Sequence, residues 1–144
     1  MTQNTMQQVI ITEPGGIEKL AYETVDIPTV QADEVLVKVH AFGINRPDIL
    51  QRQGLYPMPK GVTPVPGLEV AGEVIAIGAN VSKFTVGDKV CGLTNGGGYA
   101  EYCVVPESQT ITIPEHMSVE QAAATPETFP TAWANAFQIA NAKA

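Results

Sequence analysis

Gly43-Ile44-Asn45-Arg46-Pro47-Asp48 and Gly67-Leu68-Glu69-Val70-Ala71-Gly72-Glu73-Val74 decide how this chain reads. Between them runs a loop, Gly54-Leu55-Tyr56-Pro57-Met58-Pro59-Lys60-Gly61-Val62-Thr63-Pro64-Val65-Pro66. Up to Ala41 the residues alternate: Val35, Val37, Val39 and Ala41 fall on one face and Leu36, Lys38 and His40 on the other. That period of two predicts a strand over Glu34–Ala41 with one side buried. At Asn45 the period breaks. Asn45 is a good N-cap, Pro47 suits the first turn, Asp48 complements the positive end of a helix, and Gly54 stops it. A short helix from Arg46 to about Gln53 is expected. The four prolines of the loop forbid both helix and central strand, and they stiffen it around Tyr56. Leu68–Ile77 then reads as a second strand, turned by Gly78-Ala79-Asn80.

Further out, Gln7–Thr12 and Leu20–Ile27 read as strands separated by Pro14-Gly15-Gly16. Lys89–Leu93, Tyr99–Val105 and Thr110–Ile113 complete the β set, with Gly96–Gly98 as a hairpin connection. No helix pattern follows those glycines, and Glu73-Val74 follows Gly72 where a phosphate loop needs Lys and Ser or Thr. Neither is a nucleotide cradle. The last third changes period. Ser118 and Gln121 form a capping box for a helix through Ala124. After Pro126, the residues Phe129, Trp133, Phe137 and Ala140 recur at helical spacing, a stripe expected to pack in the core.

Composition narrows the class. With 144 residues, 44% hydrophobic and 16% charged, the chain is an ordinary globular domain with a real core. Thirteen glycines and eleven prolines favour turns and short strands over a helical bundle. A net charge of −7 with scattered basic residues argues against nucleic acid or an anionic membrane as partner. No apolar run spans a bilayer, and Met1–Gln8 lacks the features of a signal peptide, so a cytoplasmic protein is expected. Cys91 and Cys103 are too few for a disulfide framework or a four-thiolate zinc site, and each reads as a small buried hydrophobe. His40 has no partner at metal-binding spacing and reads as a surface or hydrogen-bonded residue.

The two motifs, the proline loop, Val86-Gly87-Asp88-Lys89-Val90 and Pro126–Trp133 together resemble the catalytic domain of medium-chain dehydrogenases/reductases. In zinc-dependent members of that superfamily a Cys stands at Asn45 and a His at Leu68, and both ligate the metal. Their joint loss, and the lack of a cysteine-rich lobe after Asp88, makes the chain similar to the zinc-free NADPH:quinone oxidoreductases. The resemblance implies a GroES-like fold: mainly β, a partly open antiparallel β-barrel with short helices and a C-terminal hinge helix. It implies a catalytic domain over residues 1–125, a hinge helix over 126–144 toward a nucleotide-binding domain, and no metal. It also implies that the parent enzyme moves hydride from NADPH to a quinone or related conjugated carbonyl, and that it is a homodimer.

On that resemblance Asn45 and Tyr56 orient the acceptor, and Asn45, Tyr56 and Thr131 meet the cofactor. Each has a plainer reading that stays open: Asn45 as a helix cap, Tyr56 as a ring packed over prolines, Thr131 as a surface residue. Glu69, without zinc to address, is expected to bond a backbone amide or an Arg such as Arg46. No glycine-rich dinucleotide turn occurs in the 144 residues, so the chain reads as the N-terminal half of an oxidoreductase that does not turn over by itself. An enoyl or enone reductase of the same superfamily fits these residues equally. A non-catalytic GroES-like binding module is the third possibility.

Overall fold

The computed structural model describes residues 4–143; Met1–Gln3, within the stretch read as lacking a signal peptide, and Ala144 lie outside them. Strands β1 (Thr5–Ile11) and β2 (Leu20–Asp26) form an antiparallel hairpin. Five more build one antiparallel sheet: β3 (Glu34–Phe42), β4 (Glu69–Ile77), β5 (Lys89–Leu93), β6 (Tyr102–Pro106) and β7 (Thr110–Thr112), in the order β6-β3-β4-β5-β7. A bridge between Gln8 and Ala100 fastens the hairpin to it. The helices are short: α1 (Arg46–Arg52), α2 (Val119–Ala123) and α3 (Thr128–Trp133), the last running into a π-helical stretch, Ala134–Ile139. The architecture is mainly β, a curled antiparallel half-barrel with few short helices, as the sequence led us to expect.

Two packed clusters sit on opposite faces of the sheet. One gathers Val35, Val37, Val70, Val74, Phe84, Val90, Cys103 and Val105. The other sets Ala71 and Cys91 against Ile113 and the α2 residues Ala122 and Ala123. The alternation expected for β3 holds for Val35, Val37 and Val39, which share one face, and breaks at Ala41. Leu36 is buried beside Val35 and Val37, and Val39 packs on the first cluster while Ala41 packs on the second. The change of face between Val39 and Ala41 comes from a register shift against β4 that leaves His40 as an extra residue in β3; the other shift, between Leu36 and Val37, leaves Ile75 as an extra residue in β4. An extra residue in a strand reverses which face the following side chains take.

The aromatic stripe departs further from expectation. Phe129, Trp133 and Phe137 are 69%, 55% and 45% exposed, so they are not core. Trp133 and Phe137 pack mainly on each other, with ring centroids 5.9 Å apart. Helical spacing identifies a face, but only tertiary contact determines whether that face is covered. The cysteines behave as expected: both are free and buried. Burial pushes the Cys103 thiol up to about 11, eased only in part by its contact with Thr94, and burial also raises Cys91.

Replacing Trp133 or Phe137 by Ser should change unfolding free energy by less than about 1 kcal/mol in urea titrations. A buried aromatic would cost about 3–5 kcal/mol, so a loss of that size would return the stripe to the core. The thiols give a second check. Neither should react with a thiol reagent at neutral pH until the chain unfolds. Because the Cys103 thiol ionises near 9 when unfolded and near 11 when folded, its contribution to stability is complete below about pH 9. That contribution should fade as pH rises toward 11, and Cys103→Ala should flatten this part of the pH–stability profile.

Candidate functional site

Asn45 sits where β3 gives way to α1, in extended backbone conformation, as the helix N-cap. Its backbone N–H donates to Asp48 Oδ2 at 2.8 Å, and its side chain faces the Asp48 backbone in a capping-box arrangement. Asn45 is only 8% exposed, and Asp48 in the first turn of the helix is also buried. Its Nδ2 donates to Glu69 Oε1 at 2.9 Å. Glu69, 1% exposed at the start of β4, accepts a second bond at 2.9 Å, on Oε2, from the backbone N–H of Glu127 just before α3. The carboxylate therefore has the backbone-amide partner expected of it, together with the Asn45 carboxamide. Arg46 is exposed and is not a partner.

Asp48 is a second buried hub. Besides the Asn45 N–H, its oxygens accept from the Gly67 N–H and from the Tyr99 hydroxyl, both at 3.2 Å. Burial and the neighbouring Asp48 carboxylate raise the pKa of the Tyr99 phenol, which keeps it a donor. The Tyr99 ring stacks on Phe42 with centroids 4.5 Å apart. Gly67 has φ +102°, and a Cβ there would lie 2.6 Å from the Tyr99 ring, so only glycine fits. Gly43 is fixed by proximity instead: a Cβ would run into the Glu69 carboxylate. Both glycines that open the two motifs are thus required by the two carboxylates or by the ring that binds one of them.

Three acidic side chains meet here. The Glu127 carboxyl titrates above its ordinary range, first through burial and then through repulsion from Glu69 and Asp48. Among the described residues no group of three or more His, Cys, Asp or Glu side chains could hold a metal ion. Glu69 and Asp48 already accept from amides and a hydroxyl, and Asn45 and Leu68 offer a carboxamide and an alkyl chain. This donor set does not fit a catalytic zinc. Nor does the Gly96–Gly98 turn fit a pyrophosphate: the Gly97 and Gly98 N–H groups donate to the carbonyls of Val65 and Gly67.

Of the residues singled out from sequence, Asn45 is tied to the start of α3 through Glu69. Thr131 lies on the exposed side of that helix, with its carbonyl accepting from Asn135 Nδ2 at 2.8 Å. Tyr56 is 41% exposed in the proline loop and takes no part in the hydrogen-bonded group around Asn45. Leu68 is half-buried beside Glu69. Asp48 and Tyr99 escaped sequence reading as site residues, though an acidic residue three after an N-cap does signal a capping partner. A cavity of about 870 Å³ is walled by Val9, Tyr22, His40, Phe42, Tyr99 and Glu120, among others. His40 is an exposed wall residue there, and Asn45, Tyr56 and Thr131 stand outside this cavity.

Comparison with known proteins accords with this geometry. The family described as the alcohol dehydrogenase GroES-like domain matches residues 31–115. A mouse protein named synaptic vesicle membrane protein VAT-1 homolog-like is 36% identical over 94% of the chain, and rat quinone oxidoreductase is 36% identical over 99% of it. The chain spans 33% and 44% of the lengths of these two relatives. A mycobacterial protein solved in complex with NADPH superposes with a TM-score of 0.85 at 32% identity, covering 96% of this chain and 43% of that one. No helix of the described residues is long and apolar enough to cross a membrane. With the half-barrel sheet and the motif match over residues 31–115, the chain belongs to the alcohol dehydrogenase GroES-like domain family.

Proposed function

We propose that this chain is the substrate-side half of a zinc-independent, NADPH-dependent quinone oxidoreductase, with residues 1–125 as catalytic domain and 126–144 as hinge. One observation carries the reading. At the position where a metal-binding relative presents a thiolate, this chain presents a buried carboxamide already oriented by Glu69. The likeness to rat quinone oxidoreductase and to a protein solved with NADPH supports the acceptor and the reductant.

The reaction moves a hydride equivalent onto a conjugated carbonyl, leaving negative charge on its oxygen. With no Lewis acid in the donor set, that oxygen must be met by hydrogen-bond donors. Asn45 Nδ2 carries two hydrogens, and one is committed to Glu69. The second donates to the acceptor oxygen. Tyr56, held by its stiff loop with its ring partly open to solvent, adds a hydroxyl and a flat face for a quinone ring. Thr131 borders the nicotinamide from α3. When bound, NADPH supplies the hydride; this chain supplies orientation and charge stabilisation.

In the oxidoreductase that carries this domain, Asn45→Ala should lower kcat/KM for a benzoquinone with NADPH by about 10²-fold, the usual cost of one oxyanion donor. Tyr56→Phe should cost about tenfold. A strong chelator should leave the rate unchanged. Full activity of the Asn45 variant, or its abolition by chelation, would refute the assignment.

A further inference from the structure

We propose that Glu69 is the positioning residue for Asn45, and that it ties the orientation of that carboxamide to the docking of α3. The inference rests on the role given to Asn45 above and extends it to regulation of the same site.

Geometry supports the assignment. A carboxamide can present either its oxygen or its nitrogen to a neighbour, whereas a carboxylate only accepts. With Glu69 Oε1 at 2.9 Å, the nitrogen of Asn45 must face it. The Asn45 oxygen is then left toward the Asp48 backbone at the helix start, in the capping-box arrangement. One Nδ2 hydrogen remains, and because the carboxamide is planar its direction is set once the first is given to Glu69. The ligand atom it recognises is therefore an acceptor, such as a carbonyl oxygen.

The second Glu69 oxygen is bound to the Glu127 N–H at 2.9 Å, 58 residues along the chain. Glu69 is thus a two-ended link, with the candidate donor on one oxygen and the entry to α3 on the other. The link is confined on the β3 side as well, because Gly43 leaves room for the carboxylate and no more. A carboxylate 1% exposed cannot exchange either partner for water without leaving its place. Any movement that withdraws Glu127 therefore rotates or releases Glu69, and with it the Asn45 carboxamide. The repulsion on the Glu127 side chain from Glu69 and Asp48 shows that these groups also sense one another electrostatically.

Nuclear magnetic resonance on the ¹⁵N-labelled chain tests the link from both ends. Asn45→Ala touches only one oxygen of Glu69, yet it should raise hydrogen exchange at the Glu127 amide about tenfold. Glu127→Pro removes the other donor, at a backbone φ of −88° not far from what proline accepts, and Glu127→Gln, which keeps that N–H, controls for the lost carboxylate. The proline variant should shift the Asn45 side-chain NH₂ resonances and speed their exchange. Glu69→Gln should do both. If each flanking variant leaves the far end unmoved, Glu69 is a passive buried acceptor and the proposal falls. Those two variants decide the matter even if Glu69→Gln does not fold. Titrating a benzoquinone into the labelled oxidoreductase that carries this domain, with NADPH present, separates this outcome from the functional reading. Intact coupling with an Asn45 signal indifferent to quinone would refute the function and leave the link standing.

Discussion

A carboxylate removed from water has to be met by donors, and that requirement organises the rim of this domain. Glu69 and Asp48 lie on elements far apart in sequence, and five donors converge on them from four segments: two from Asn45 between β3 and α1, and one each from the end of the proline loop, the turn before β6 and the entry to α3. An uncompensated buried charge costs about 3–5 kcal/mol, a large part of the stability of a small domain. The five bonds therefore form a closed set in which each segment is held by another. Amides and a phenol hold the rim together.

The sheet makes this arrangement possible by changing faces partway along β3. Upstream, its side chains fill the cavity of the half-barrel. Downstream of the second shift, Ala41 turns to α2, and the chain reaches Gly43 and Asn45. Stacked on Tyr99 just after the shift, Phe42 links the strand end to the ring that reaches Asp48.

Much of this was legible in the sequence, and the exceptions have physical causes. Strand β5 lies where period and turn residues put it, α1 begins at its N-cap, and Ser118 with Gln121 caps α2 as read. Those signals are local, and local chemistry determines them. What could not be read depends on distance. The bulge in β3 at His40 reflects its fit to β4, so Val39 and Ala41 look alike in sequence and part company in the fold. The stripe of Phe129, Trp133 and Phe137 has a core periodicity but meets no core in this chain. The Asn45–Glu69 bond joins residues 24 apart, and neither residue type names its partner. Only the requirement that a buried acid be bonded predicted that some donor would be there.

The register shifts between β3 and β4 also act as a buffer. A strand that is continuous in register transmits any slip along its whole length, so a change packed into the half-barrel near Val35 or Val37 would be felt at Asn45. A strand with extra residues can take up such a displacement at the irregularity. Drift among the interior valines can then alter how firmly the barrel holds together while the rim keeps its ångström-scale spacing, so that the two properties can evolve separately.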